Sequence, residues 1–382
     1  MDRISSASWK PRTHQRIRKD EGWFRALAPV DSPPLAEPCR ASQTRIGRTS
    51  PTSLAVLPQS SKESGTLAAT HAARAGRQLG PYRLIERIGR GRQADVWRAR
   101  RSEPPGGEVA LKVLGGLAAS RDPRKLAQLR REAERGSRLT SPFLLRTYEY
   151  GEADGLAFLA MPLVEGCPLG LVLQQRAALG RGGVPVAGIH PLAAAEPEVY
   201  TREVVALLAK VARAVAVAHD GKVVHRDIKP MNILIGRQRE RDHPALDGSG
   251  VYLCDFGLAR DLDVATPRQL RDGAGSPLYM APERLLKRPA DEVRCDVYAM
   301  GVTLFESLAL VPPFDVPPEL PPHRWADFLA NARPPALRDL APWVSPILES
   351  VVQRAMEREP SGRHASALRL AYDLERVLSR EA

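Results

Sequence analysis

A chain of 382 residues, 43% of them hydrophobic, is long enough for two or three compact units and apolar enough to bury a real core. Its formal charge of +12 bears on association and solubility rather than on fold. No stretch approaches the roughly 18 to 20 apolar residues of a membrane span, which argues against a membrane-spanning segment.

Residues 1–80 hold 13 Lys and Arg against 6 Asp and Glu, a charge of +7, so the remaining chain carries only +5. This segment is rich in Pro, Ser and Arg, has no sustained period of 3.6 or 2, and is read as a disordered basic tail. No aromatic platform, zinc spacing or amphipathic helix accompanies it, so a soluble linker or a mispredicted start is the leading reading of the tail, with nucleic-acid binding through its basic residues the weaker alternative. The opening MDRISSASWKPRTHQRIRKDEGWF lacks the apolar core of a secretory signal. The four cysteines, Cys39, Cys167, Cys254 and Cys295, lie far apart with no C-x-x-C pair and read as reduced thiols, so a cytoplasmic location is expected.

From Tyr82 the texture changes. YRLIERIGRGRQADVWRARR alternates apolar and polar residues about a Gly-rich turn, and GEVALKVL follows as another strand. In SRDPRKLAQLRREAERGSRL, Asp122 is placed to cap a helix with Pro123 at its first position, and Leu126, Leu129 and Ala133 repeat at helical spacing. FLLRTYEYGEADGLAFLAMPLV predicts two more strands. Beyond Gly166 the pattern is mostly helical, notably EVVALLAKVARAVAVAHD, RCDVYAMGVTLFESLAL and ASALRLAYDLERVLS. Two insertions are expected, a loop over about 176–199 and a widened turn over about 236–250.

Four stretches carry chemistry. IGRGRQADV sets Gly89, Gly91 and Ala94 in a G-x-G-x-x-G-like pattern. A dinucleotide site would continue into a helix, whereas here a second strand follows, leaving a loop able to fold over phosphates. Lys112, in VALKVL, occupies an inward strand position and needs an anion, either a phosphate or a carboxylate from the next helix, where Glu132 and Glu134 are available; a snorkelling surface lysine is the alternative. VVHRDIKPMNILI places Arg226, Asp227, Lys229 and Asn232 on one short loop between the apolar pairs Val223-Val224 and Ile233-Leu234, at the edge of a core. CDFGLAR offers Asp255 at a strand end; a carboxylate and an amide oxygen, Asp255 and Asn232, are hard ligands suited to Mg²⁺.

The Gly loop, VALK, HRDIKPMN, DFG and APE, in that order, resemble the eukaryotic-like (Hanks-type) protein kinase family, most closely its bacterial serine/threonine members, over roughly residues 82–380. The resemblance implies an α+β, bilobal protein kinase-like fold, with an antiparallel small lobe with one helix (81–164) and a larger, mainly helical lobe (165–382). It implies Mg-ATP as co-substrate, with Mn²⁺ as the alternative ion, and Ser or Thr hydroxyls of proteins as acceptors. A catalytically silent ATP-binding scaffold is the other function considered. By resemblance Asp227 accepts the hydroxyl proton, Lys229 neutralises the transferred phosphoryl group, Asn232 and Asp255 hold metal, and Lys112 pairs with Glu132 rather than Glu134. Adenine is expected against Ile88, Val96, Ala110 and Leu234, with Met161 guarding the pocket and Pro162 and Val164 forming the hinge; Pro162 retains the carbonyl the first hinge contact uses.

Glu283 of APE and Arg363 resemble the family's buried ion pair, and Asp296 the aspartate bracing the catalytic loop. Arg226 beside Asp227 suggests response to phosphorylation, since an arginine there can bind phosphate. Between Arg260 and Gly275 the only hydroxyl is Thr266, a candidate regulatory autophosphorylation site whose alternative is an unmodified loop residue. Ser276 matches a substrate-pocket threonine and is expected to contact Asp227 and Lys229.

Overall fold

The computed structural model describes residues 73–91, 94–104, 106–115, 120–180, 189–236, 250–261 and 275–381. Residues 1–72 of the basic tail, Thr266, residues 181–188 and residues 237–249 lie outside them.

Alternating side chains make the first lobe a sheet. Strands β1 (Gln78–Leu79), β2 (Tyr82–Arg90), β3 (Ala94–Arg101), β4 (Glu108–Leu114), β5 (Glu149–Ala153) and β6 (Leu156–Pro162) form one antiparallel sheet in the order β1-β2-β3-β4-β6-β5. Successive residues of a strand face opposite sides. Val109, Leu111 and Val113 of β4 therefore join Leu84, Trp97 and Phe158 in one core. Leu114, on the opposite face, packs with Leu159 against Leu129 and Ala133 of helix α1 (Pro123–Arg138). Lys112 shares the parity of Leu114, which aims it toward α1. Asp122 caps that helix, its carboxylate accepting from the Arg124 N–H at 2.9 Å, with Pro123 behind it. Strand β1 lies ahead of the boundary expected at residue 80, because Leu79, fully buried, is part of the sheet core.

The second lobe is built on helices α2 (Leu169–Gly180), α3 (Pro197–Asp220), α4 (Pro282–Leu285), α5 (Glu292–Ala309), α6 (Trp325–Asn331), α7 (Leu337–Leu340), α8 (Pro346–Ala355) and α9 (Ala367–Arg380). In α3, Val204, Leu208, Val211 and Val215 recur at helical spacing, and all are buried among residues of α5 and α9. Each such side chain contributes about 1.5–3 kcal/mol by leaving water. The Tyr200 hydroxyl donates to the Ser307 carbonyl at 2.7 Å, fixing α3 to α5, while Arg213 grips Glu375 of α9 through two bonds of 2.6 and 2.7 Å. The loop expected over 176–199 is shorter at both ends. Arg176–Gly180 continue α2, where the Arg176 guanidinium finds the Ala193 and Ala195 carbonyls at 3.2 and 2.6 Å, and Pro197 already opens α3.

Two small sheets pack on the core of the helical lobe. Strands β7 (Gly166–Pro168), β9 (Ile233–Gly236) and β10 (Val251–Leu253) form one in the order β10-β9-β7, and β8 (Val223–Val224) pairs with β11 (Arg260–Asp261) in the other. β7 breaks the helical pattern expected after Gly166. That glycine is needed because a Cβ there would fall 1.9 Å from the Ile235 carbonyl oxygen. Among the described residues no helix is long and apolar enough to cross a membrane.

Candidate active site

The loop 225–232 hangs between β8 and β9, and each of those strands is paired, so its two ends are fixed before any of its side chains acts. Its centre is held from below by Asp296 of α5, whose buried carboxylate accepts the backbone N–H groups of His225 and Arg226, each at 2.8 Å, and meets His219 Nε2 at 2.9 Å. Burial alone would raise this carboxyl; the His219 contact and the backbone donors outweigh it and hold it below the usual range. Arg226 takes the left-handed conformation, φ +71°, rare for a non-glycine residue and held only where surroundings over-determine it.

Asp227 follows directly, and its carboxylate is held both within the loop and by Ser276, 49 positions on. Oδ1 accepts the Ser276 N–H at 3.1 Å and the Ser276 hydroxyl at 2.9 Å, and Oδ2 accepts from the Asn232 amide at 3.1 Å with Lys229 Nζ also at 3.1 Å. Lys229 Nζ in turn donates to Ser276 Oγ at 2.8 Å. A hydroxyl therefore sits between a carboxylate able to accept its proton and an ammonium. Asn232 spends its amide N–H groups on Asp227, including the Asp227 carbonyl at 2.7 Å, which leaves its side-chain oxygen for a cation.

On the small-lobe side, Lys112 Nζ lies 2.7 and 3.0 Å from the two Glu132 oxygens and 2.9 Å from Asp255 Oδ1. Burial would lower the Lys112 ammonium; the two carboxylates beside it raise it instead, so it stays charged. Asp255 is held down to about 2: burial opposes the shift, and Lys112 overrides it. Glu134 is exposed and takes no part in this contact.

Asp255 itself adopts φ +69°, and Phe256 behind it is buried with its ring edge-on to His225, centroids 4.7 Å apart. Gly257 is hemmed in: a Cβ would lie 3.0 Å from Asp255 Oδ1 and 3.2 Å from Glu132 Oε2. Its carbonyl accepts from Gln128 Nε2 at 2.8 Å, a tie between α1 and this turn that sequence reasoning missed. The available signal was that Gln128 sits one helical turn before Glu132, on the same face. Cys254, next to Asp255, is pushed up to about 12, by burial first and by Asp255 second, so its thiol packs rather than reacts.

The expected adenine residues divide. Met161, Val164 and Leu234 pack together with Leu145, Tyr252 and Cys254. Ala110 is buried and faces Met161 across the β4–β6 ladder, and Val96 faces Lys112 across β3–β4. Ile88, by contrast, stands 38% exposed on β2 and belongs to no core cluster among the described residues. Gly89 pairs with Val96, Gly91 N–H donates to the Ala94 carbonyl at 2.9 Å, and Pro162 closes β6 opposite Val109.

Among the described residues no three His, Cys, Asp or Glu side chains converge as a metal cage. The donors at hand are one carboxylate, Asp255, and one amide oxygen, Asn232, on neighbouring turns joined by the Cys254 N–H to Asn232 carbonyl bond of 2.9 Å. One carboxylate and one amide oxygen suit Mg²⁺, which dehydrates reluctantly and takes its other ligands from water and phosphate. Deeper in the helical lobe, Arg363, fully buried, clasps Glu283 through bonds of 2.7 and 2.8 Å and also donates to the Glu357, Arg358 and Arg294 carbonyls.

Comparison with known proteins points one way. Residues 82–365 match the family model described as protein kinase domain. The chain is 33% identical over 316 residues to the serine/threonine-protein kinase PknH of Mycobacterium bovis, covering 80% of this chain and 46% of that protein. It is 32% identical over 306 residues to the serine/threonine-protein kinase PknD of Mycobacterium tuberculosis, covering 78% and 39%. It therefore spans less than half the length of these curated relatives. The crystal structure of the Mycobacterium tuberculosis PknI kinase domain superposes with a TM-score of 0.55 at 26% identity, covering 81% of this chain and all of that one.

Proposed function

The chain belongs to the protein kinase family, in its bacterial serine/threonine branch, and on that premise we propose that it transfers the γ-phosphate of ATP to serine and threonine hydroxyls of proteins. The observation that carries the reading is the placement of a hydroxyl, that of Ser276, within 2.9 Å of Asp227 Oδ1 and 2.8 Å of Lys229 Nζ. A general base must stand within about 2.6–3.2 Å of the proton it takes. An acceptor hydroxyl reaching the same two groups would give its proton to Asp227 as its oxygen bonds to the γ-phosphorus. The bond from that phosphorus to the bridging oxygen breaks, and ADP departs with the electron pair.

Lys229 offsets charge on the phosphoryl oxygens as they pass. Lys112, kept cationic and aimed by Glu132, holds the phosphates of the donor nucleotide. Met161, Val164, Ala110, Val96 and Leu234 line the adenine side, with Ile88 and the Gly89–Ala94 turn as its outer cover and Pro162 offering its carbonyl. Asp255 and Asn232 would hold Mg²⁺, with Mn²⁺ as the alternative, and the ion would neutralise phosphate charge. Little covalent help is asked of the protein; positioning and charge stabilisation supply the rate. The complete set of charged groups favours an active enzyme over a silent scaffold. We further propose that the catalytic unit starts at β1, that the basic tail ahead of it is a separate segment, and that the reaction runs in the cytoplasm, where free thiols such as Cys167, Cys254 and Cys295 persist.

The test is phosphoamino-acid analysis of the chain and of a basic acceptor protein after incubation with Mg²⁺ and γ-labelled ATP. Label on serine and threonine is expected. Absence of label, or label confined to tyrosine, overturns the reading.

A further inference from the structure

Close to the catalytic loop lies a second set of buried charges that the transfer step does not use. Glu292 is the first residue of α5, capped by Asp291, and its side chain is 3% exposed. Its Oε2 lies 3.3 Å from Arg226 Nε and 3.9 Å from Arg284 Nε, side chains that are 0% and 5% exposed. Three elements meet there: the catalytic loop through Arg226, helix α4 through Arg284, and α5 through Glu292. A charge buried this deeply is costly unless an opposite charge faces it. A carboxylate in the first turn of a helix is also favoured by the unpaired N–H groups at that end.

Arg226 is thus gripped at three points. Its N–H is held by Asp296, its guanidinium faces Glu292, and its carbonyl accepts from Arg284 Nη1 at 3.4 Å. The carbonyl is also packed against Gly275, where a Cβ would come within 2.9 Å of it. This grip holds the left-handed backbone of Arg226, and Asp227 is the next residue. An arginine in this place invites a phosphate on the 261–275 segment as its anion. Here a carboxylate from the chain's own core stands in ion-pair contact with it.

We propose that Glu292 is a positioning residue, a built-in anion that holds Arg226 and Arg284 and so keeps Asp227 in its working place without phosphorylation of the 261–275 segment. The proposal rests on the phosphoryl-transfer reading. Thr266 is the only hydroxyl between Arg260 and Gly275, so one substitution removes every modification site there.

The test uses the full chain in four forms beside the untreated wild type: phosphatase-treated wild type, Thr266→Ala, Glu292→Gln and Glu292→Asp. For each, kcat and KM for ATP are measured with a basic acceptor protein, and hydrogen exchange is followed in peptides covering 223–235 and α9. Phosphatase-treated wild type and Thr266→Ala are expected within about twofold of untreated wild type in kcat. Glu292→Gln is expected to lose about 10- to 100-fold in kcat while KM for ATP moves less than about twofold, the pattern of a misplaced reacting group. In that variant exchange over 223–235 should quicken while α9 stays protected, and Glu292→Asp should recover most of both.

Wild-type kcat and unchanged loop exchange in Glu292→Gln overturn the proposal, as does a tenfold loss in Thr266→Ala. Should Glu292→Gln not fold, the Thr266→Ala and phosphatase arms still decide. Should even the wild type transfer nothing, the kinase reading fails by itself, and loop exchange in Glu292→Gln alone judges the placement: quicker supports it, unchanged overturns it.

Discussion

Replacing Asp296 by Asn changes one atom in a buried site and has a calculable cost. In the native chain Oδ1 accepts the Arg226 N–H, while Oδ2 accepts the His225 N–H and meets His219 Nε2. An asparagine offers one acceptor oxygen and one NH₂ group. If its oxygen takes the Oδ2 place, the NH₂ faces the Arg226 N–H, donor to donor; the reverse orientation strands the His225 N–H and the His219 contact. At least one buried N–H then loses its partner, at about 1–3 kcal/mol, and the remaining bonds lose their charge assistance, each having been worth about 1.5–3 kcal/mol. A total destabilisation of about 3–5 kcal/mol is expected. Because either amide that is released belongs to one of the two residues just before Asp227, phosphate transfer should fall by at least about tenfold under conditions where the variant is folded. Urea unfolding followed by circular dichroism gives the first quantity, and initial rates of label transfer give the second. A destabilisation under about 1 kcal/mol with unchanged transfer would refute the reasoning that Asp296 sets the loop.

Arg363→Ala removes a buried cation from Glu283 and should destabilise the chain by about 3–5 kcal/mol in urea unfolding, since it leaves a carboxylate buried without its partner. Ser276→Thr keeps the hydroxyl between Asp227 and Lys229 and should transfer within about threefold of wild type, whereas Ser276→Ala should lose about 10- to 100-fold, the worth of one hydrogen bond to a charged group. The Asp255 carboxyl, held down to about 2 by Lys112, binds its proton less readily folded than unfolded, where the ordinary value is about 3.9. Its stabilising contribution is therefore complete above about pH 4 and fades as pH falls through about 2, so the stability gap between wild type and Asp255→Asn should narrow over that window in unfolding titrations. Cys254, pushed up to about 12, should resist alkylation at pH 8 in the folded chain and react only when it unfolds.

The motifs were legible because each packs its chemistry into a few consecutive residues. HRDIKPMN places Asp227, Lys229 and Asn232 by local turn geometry, and strand parity alone aims Lys112 at the helix carrying Glu132. The helix cap at Asp122 was equally local. What escaped was distant pairing that no motif marks. Strand β7 is three residues long and exists because Gly166 lets it lie against β9, which no periodicity announces. Leu79 looked like the end of a tail until the sheet buried it. The Arg226, Arg284 and Glu292 cluster joins residues up to 66 positions apart, and nothing in the local pattern around Glu292 points to the two arginines. Gln128 was hidden the same way, as one amide on a helix rich in charge.

The central claim, that Asp227 is the base of a phosphoryl transfer, is tested most directly by Asp227→Asn, with label transfer and ATP-dependent thermal stabilisation measured on the same preparation. Loss of transfer by about 10²- to 10⁴-fold, with stabilisation by Mg-ATP retained, is the predicted result. Transfer at the wild-type rate would contradict the account.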